Sequence, residues 1–462
     1  MAYYPGRRRL DFSRYYRALA IIAVAILLFA TATRLTPLQG DMDVSQSAGE
    51  GGSALRQVIL FLCAGLVLAA SRPLINPAGL LRFPLSMIIL LGWCVLSLGW
   101  AAAPGVSLRR LILTFLVIWS IFRAVDALGY RQFLKILCYC CIAMLIANYL
   151  AVLLKPVAAI HLSADSNDPS LLGAWRGIVP HKNITGPVCA LTLFLLVFGI
   201  GEMPLVVRLG LIAADIFFLI QTNSKTSMAL SLTAILGGYI VKNYHPRVRL
   251  LVVPGAIVAG CVLAYVIDTY LPSYLSYLGS SQDAFTGRIQ IWRILVDYIQ
   301  DHLMLGAGFA SFWAVGDSGP LSHYTSQRWI LLQVAEGHNG YLDITAQLGL
   351  IGLGLSVLAI FVVPLAKLIF EADLPDRYRA LMFAILFFSI GHNVTESSIM
   401  ATDQFMQFVL MLVIACIEDM RAPWRAIRHA NMMRWVRAAG EEFRLAVAAA
   451  IGRVNADKDD PR

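Results

Sequence analysis

Residues 336–355 read EGHNGYLDITAQLGLIGLGL, a polar tetrad around His338 that passes directly into a glycine-punctuated apolar helix. A helix like this either packs inside a soluble core or crosses a bilayer, and composition decides which. The chain of 462 residues is 58% hydrophobic and only 14% charged, with a mean hydropathy of +0.70, which is more apolar surface than a water-soluble core encloses. The fold class is therefore all-α, a polytopic transmembrane helical bundle. Apolar segments at 17–33, 57–70, 85–101, 107–122, 132–154, 184–200, 205–221, 226–241, 250–268, 345–366, 379–394 and 402–418 are each long enough, or nearly so with tilt, to cross the hydrocarbon, about 12 spans in all.

Lys and Arg set the orientation. With the N-terminus in the cytoplasm, the inner segments 1–17, 71–84, 123–135, 201–208, 242–249, 367–379 and 420–462 hold 26 of the 37 Lys and Arg, and the outer segments hold 11. That satisfies the positive-inside rule and predicts a multi-pass protein with both termini cytoplasmic. The opening MAYYPGRRRLDFSRYYR has the basic character of a signal peptide, but LFATATRLTPLQG offers only a weak cleavage site, so the first segment is expected to stay as a span. The predicted organisation is an N-terminal transmembrane bundle of about 9 spans over 1–268, a large periplasmic loop over 269–340, about 3 C-terminal transmembrane helices over 341–419, and a cytoplasmic basic tail over 420–462. In the tail, arginines alternate with Trp and Met as in an interfacial helix on anionic lipid, so the net charge of +9 points to a membrane surface and not to nucleic acid. All eight cysteines fall in predicted spans, which implies no disulfide framework, and CYCC at 138–141 reads as small packing residues.

Two outer segments are long, 155–183 and 269–340, and long loops are where function concentrates. Within the larger, DAFTGRIQIWRILVDYIQDH has the spacing of an amphipathic helix capped by Asp283 or Thr286, followed by an LGAGF turn, and is expected to lie as a lid on the outer membrane surface. The unusual polar residues gather on the same side. WRGIVPHKNITG (175–186) supplies Arg176, His181, Lys182 and Asn183; QTNSKTSMAL (221–230) supplies Lys225; TGRIQIWR (286–293) supplies Arg288 and Arg293; and GHNG supplies His338 and Asn339. One outer cation snorkels to lipid headgroups without further meaning, but several around one histidine form a site for a polyanion such as a diphosphate, because Arg offers forked donors and Lys a point charge. His338 stands at a helix N-terminus, whose partial positive charge predicts a neutral imidazole able to accept a proton. No metal is expected, since no second His or Cys stands at ligand spacing; Asp165 and Asp168 read as turn formers.

These residues carry a resemblance. HNGYLDITAQLGLIG has His338, Asn339, Gly349 and Gly352 at the spacing that marks the bacterial O-antigen ligase and Wzy-type polysaccharide polymerase superfamily. HKNITG, SKTSMAL, TGRIQIWR, LGAGFASFW and HNGYLD, in that order, are most similar to the exopolysaccharide polymerase branch of succinoglycan type. The resemblance runs over roughly residues 85–360 and implies a GT-C-like membrane glycosyltransferase, metal-independent, inverting and without cofactor, in the bacterial inner membrane. It implies an undecaprenyl-diphosphate-linked oligosaccharide as donor and an acceptor glycan as second substrate, with a chain-length regulator and a flippase as partners. By position, Arg288 and Lys225 would hold the diphosphate and His338 would act at the acceptor; many ligases carry Arg where this chain has Lys225. A ligase that moves finished O-antigen to lipid A core is the alternative within the superfamily. A secondary transporter is the alternative from another class, with the intramembrane Asp215 its best support.

Overall fold

The computed structural model describes residues 13–33, 54–71, 80, 82–162, 171–243, 288–316, 319–371, 374–402 and 404–421. Its regular elements are helices: α1 Ser13–Ala32, α2 Ala54–Ala70, α3 Leu85–Leu96, α4 Pro104–Leu128, α5 Tyr130–Leu154, α6 Lys182–Val197, α7 Leu205–Gln221, α8 Lys225–Asn243, α9 Arg288–Asp301, α10 Gly340–Val357, α11 Val363–Phe370, α12 Asp376–His392 and α13 over 405–421. Among the described residues there is no strand, and the protein is an all-α membrane protein. Arg14–Ala32, Pro104–Leu128, Tyr130–Leu154 and Gly340–Phe370 are each long and apolar enough to cross a bilayer, and Ala54–Ala70, Leu85–Gly99 and Lys182–Val197 are shorter apolar helices. Each expected apolar segment coincides with a helix except 250–268, which lies outside the described residues, as do the proposed caps Asp283 and Thr286 and the tail from 422 onward. The chain forms two compact units, Met1–Ile417 and Glu418–Arg462.

Within the first unit the helix ends fall on two sides. On one, Lys135 at the start of α5 pairs with Glu202 before α7 at 2.9 Å. On the other, the α3–α4 connection meets the turn after α9: Ala102 N donates to Ala307 O at 2.9 Å, and Arg110 Nη1 donates to the carbonyls of Ala310 and Trp313 at 2.7 and 2.8 Å. Seven of the cysteines are described and all are free thiols. In the CYCC stretch Cys138 and Cys141 are fully buried, as packing residues should be.

Helix α10 departs from the unbroken apolar helix expected over 345–366. Gly349 has φ 67° and ψ −174°, so the chain leaves the helical path there and re-enters it. The turn that follows α9 occupies the gap, with Leu350 N donating to Leu303 O and Ala307 N to Ala346 O, each at 2.9 Å. A Cβ at position 349 would run into the Met304 carbonyl oxygen, and the backbone conformation itself disfavours any other residue. Helix α9 packs its apolar face into a core built largely from its own 269–340 segment. Its Ile291, Ile294, Leu295 and Tyr298 recur at helical spacing and are buried against Phe312, Trp313, Leu321 and Ile330.

Candidate functional site

The site is assembled by two turns on the side of the bundle that carries α9. The first runs from Glu336 to Gly340. His338 itself adopts φ 49°, a left-handed conformation rare for a side chain larger than glycine, and its neighbours hold it there. Asp343, one turn into α10, accepts the Gly337 N–H at 3.0 and 2.8 Å through its two oxygens, and Trp313 donates its indole N–H to the same carboxylate at 2.7 Å. Trp292 of α9 donates to Gly337 O at 2.9 Å. Position 337 has no room for a side chain, because a Cβ would meet Leu295 and Asp343. Asn339 caps α10, its Oδ1 accepting from Tyr341 N and Leu342 N, each at 3.1 Å.

The second turn follows α12. Asn393 organises it by accepting from Ser398 N at 2.9 Å and Ser398 Oγ at 3.0 Å. The two turns are joined by Gly340 N donating to Asn393 O at 2.8 Å and by Asn339 N donating to Ser397 Oγ at 3.0 Å. Glu396 is thereby presented to three side chains from different parts of the chain. Arg288, the first residue of α9, donates from Nη2 to Glu396 Oε1 at 2.6 Å and from Nη1 to Thr395 O at 2.6 Å. Asn183 in the first turn of α6 donates from Nδ2 to the same Oε1 at 2.8 Å. His338 Nδ1 lies 3.3 Å from Glu396 Oε2 and 3.4 Å from Glu336 Oε1. Glu336 is in turn held by Gln404, whose Nε2 donates to Oε2 at 2.5 Å.

These contacts split the three titratable groups. Burial alone raises the Glu396 carboxyl, but the hydrogen bond from His338 and the charges of Arg288 and His338 override it and bring it down to about 2. Burial raises Glu336 to about 7, helped by the Glu396 and Asp343 charges and opposed by His338 and the Gln404 bond. For His338, burial works against protonation, but the Glu396 hydrogen bond and both carboxylate charges outweigh it, so its pKa is raised. This shift runs opposite to the direction expected from the helix N-terminus. The reason is the pair of carboxylates, which act at closer range than the partial charge of a helix end.

The remaining predicted residues take other places. Arg176 is buried and donates from Nε to Ala158 O at 3.0 Å and from Nη1 to Pro180 O at 3.4 Å, bracing the connection before α6. His181 caps α6, Nδ1 accepting from Asn183 N at 3.2 Å, with its ring edge-on to His161 at 5.1 Å. Lys182 is buried in the first turn of the same helix. Lys225 is exposed at the first position of α8, and the adjoining Ser224 and Ser227 pack on Gly186 of α6, one turn from Asn183. The geometry thus unites His338, Arg288 and Asn183 directly and Asn339 through its backbone, while Arg176, His181 and Lys182 support the wall behind Asn183. Asp215 is fully buried in α7, where the Tyr149 hydroxyl donates to the neighbouring Ala214 O at 2.7 Å.

Glu336, His338 and Glu396 bring donor atoms within 4.8 Å of one another, a spacing a divalent ion uses. The set does not fit one well, because Glu396 Oε1 already carries the Arg288 guanidinium at 2.6 Å and a fixed cation at that range repels a second. What the arrangement can do is hold an anion and move a proton. Arg288 keeps further N–H groups for an anion, and with Nδ1 facing carboxylates the His338 Nε2 is left for an incoming hydroxyl.

Fold and site define a helical membrane protein with a site of one histidine, one arginine and two carboxylates at one side of its bundle. Residues 210–357, about a third of the chain, match the O-antigen ligase family, which supports a likeness to the O-antigen ligase and Wzy superfamily. The matched stretch includes Lys225, Arg288, His338 and Asn339. No curated protein matches the chain.

Proposed function

We propose that this protein polymerises undecaprenyl-diphosphate-linked oligosaccharide repeat units into exopolysaccharide at the periplasmic face of the bacterial inner membrane, by metal-independent inverting glycosyl transfer. The supporting observation is that one carboxylate, Glu396, gathers the cation suited to the leaving diphosphate and the base suited to the acceptor hydroxyl. Arg288, with Lys225 at the start of α8, stabilises charge developing on the diphosphate as the sugar C1–O bond breaks, about 2–4 kcal/mol for each preorganised donor that tightens in the transition state. His338 Nε2 accepts the proton of the acceptor hydroxyl as its oxygen attacks C1 from the opposite face, which inverts the anomeric centre. Glu396, charged and hydrogen-bonded to Nδ1, fixes the imidazole orientation and raises the basicity of Nε2, as carboxylates do in other His-dependent sites. The lipid tail enters from the bilayer, so the reaction belongs at the membrane edge.

A ligase that transfers finished glycan to lipid A core is the second reading, favoured by the description of the matching family. It shares the donor half of this mechanism and differs in the acceptor. The deciding experiment supplies purified protein in lipid nanodiscs with lipid-linked oligosaccharide extracted from cells that lack the protein, with and without lipid A core. A ladder of lengthening lipid-linked glycan in the absence of lipid A core is the expected result. Transfer seen only onto lipid A core would replace the polymerase with the ligase, and no transfer in either tube would remove both.

A further inference from the structure

The two carboxylates that meet His338 Nδ1 differ in all their other neighbours. Glu396 is mostly buried, at 14% side-chain exposure, and has Arg288 and Asn183 on its second oxygen. Glu336 is 30% exposed, and its second oxygen accepts from Gln404, with no guanidinium contact among the described residues. The charged groups facing it are His338 from its own turn, Glu396 from the turn after α12 and Asp343 from α10, with Arg288 of α9 beyond Glu396.

We propose that Glu336 is the terminal proton acceptor of the transfer: His338 takes the hydroxyl proton at Nε2 and passes its Nδ1 proton to Glu336 Oε1, while Glu396 stays charged and orients the ring. This deepens the transferase reading and rests on it. The step balances. The acceptor O–H bond breaks as its oxygen forms the new bond to C1, the old C1–O bond leaves with its electron pair on the lipid diphosphate, and the ring exchanges an Nδ1 proton for one on Nε2. Glu336, now a carboxylic acid, releases its proton to water, and the ring loses its Nε2 proton and regains one at Nδ1 by exchange with water, which resets the site. The split between the two carboxyls supports this division, because a group held near neutrality takes and gives a proton readily whereas one held far below it cannot. The exposure of Glu336 also gives the proton a way out that Glu396 lacks.

The test uses the full-length protein in nanodiscs with the extracted lipid-linked oligosaccharide. Glu336→Gln is expected to lower kcat by about 10²-fold with KM unchanged, and to displace the pH at which kcat rises; Glu336→Asp should recover part of both. If Gln404→Ala reproduces the loss, or if kcat falls with the pH profile unmoved, Glu336 only braces the turn and the proposal is overturned. A second measurement needs no turnover: the pH midpoint of His338 carbethoxylation, read by mass spectrometry, should move down in Glu336→Gln because a raising charge has gone. An unmoved midpoint overturns the pairing itself. Wild-type protein that transfers no sugar while the midpoint shift is intact overturns the transferase reading and leaves the proton-sharing pair standing.

Discussion

Replacing Glu396 by Gln should destabilise the protein by about 3 kcal/mol at neutral pH. Gln has the shape of a protonated Glu, so the cost of the substitution approximates the cost of neutralising this carboxylate in place. Its pKa of about 2 against an ordinary value near 4.3 corresponds to about 3 kcal/mol of preference for the charged form. A second route agrees: removing one partner from a mostly buried ion pair costs about 3–5 kcal/mol, because Arg288 and its guanidinium hydrogen bonds stay behind. The sign is that of a depressed acid. The contribution is fully present above about pH 4.3 and fades as pH falls through about 2. Unfolding in mixed micelles, followed by tryptophan fluorescence at pH 7 and pH 2, provides the measurement. The gap between wild type and Glu396→Gln should be largest at pH 7 and narrow at pH 2. A gap under about 0.5 kcal/mol at pH 7, the range of an ordinary surface change, would refute the picture of Glu396 as the charged centre of the site.

Four further outcomes follow from particular contacts. Gly349→Ala should abolish folded protein or nearly so, since the new Cβ meets the Met304 carbonyl in a backbone conformation that also disfavours it; normal yield after membrane extraction would contradict the break in α10. Asn339→Ala should lower stability by about 1 kcal/mol, with Asn339→Ser recovering most of it, because the side chain caps a helix; a large KM effect from Asn339→Ser would instead give the side chain to substrate. Arg288→Ala should lose about 30- to 1,000-fold in kcat, whereas Arg176→Ala should reduce folded protein with kcat retained, and polymer yield at matched protein level separates the two. Transfer should continue in excess chelator, and activity that collapses there and returns with a divalent ion would contradict the metal-independent mechanism.

The helices were legible because each apolar run is long and its ends are polar, and 85–101, 132–154 and 205–221 fall within a few residues of α3, α5 and α7. The break at Gly349 was not, because periodicity passes through a single residue whose reason is the Met304 carbonyl of another segment. The cations of segments expected outside were visible by their departure from the positive-inside pattern; Arg288 joins Glu396, whereas Arg176, His181 and Lys182 lie at and before the start of α6 and Lys225 at the start of α8. Glu396 escaped for a complementary reason. It stands 58 residues beyond His338 in the chain, in a turn built by Asn393, and the orientation argument counts Lys and Arg only. With Glu396 unseen, the helix end was the nearest electrostatic influence on His338, and the direction read from it is opposite to the shift that the two carboxylates impose.

The central claim is that His338 accepts the acceptor's proton in sugar transfer, and a single-turnover comparison of wild type with His338→Gln tests it most directly. Gln keeps a hydrogen-bonding side chain of similar reach but takes no proton near neutrality. With the variant folded, inserted and loaded with extracted lipid-linked oligosaccharide, the rate of glycan transfer should fall about 10²- to 10⁴-fold while donor binding is kept. Transfer by His338→Gln at the wild-type rate would make His338 a positioning group and contradict the account.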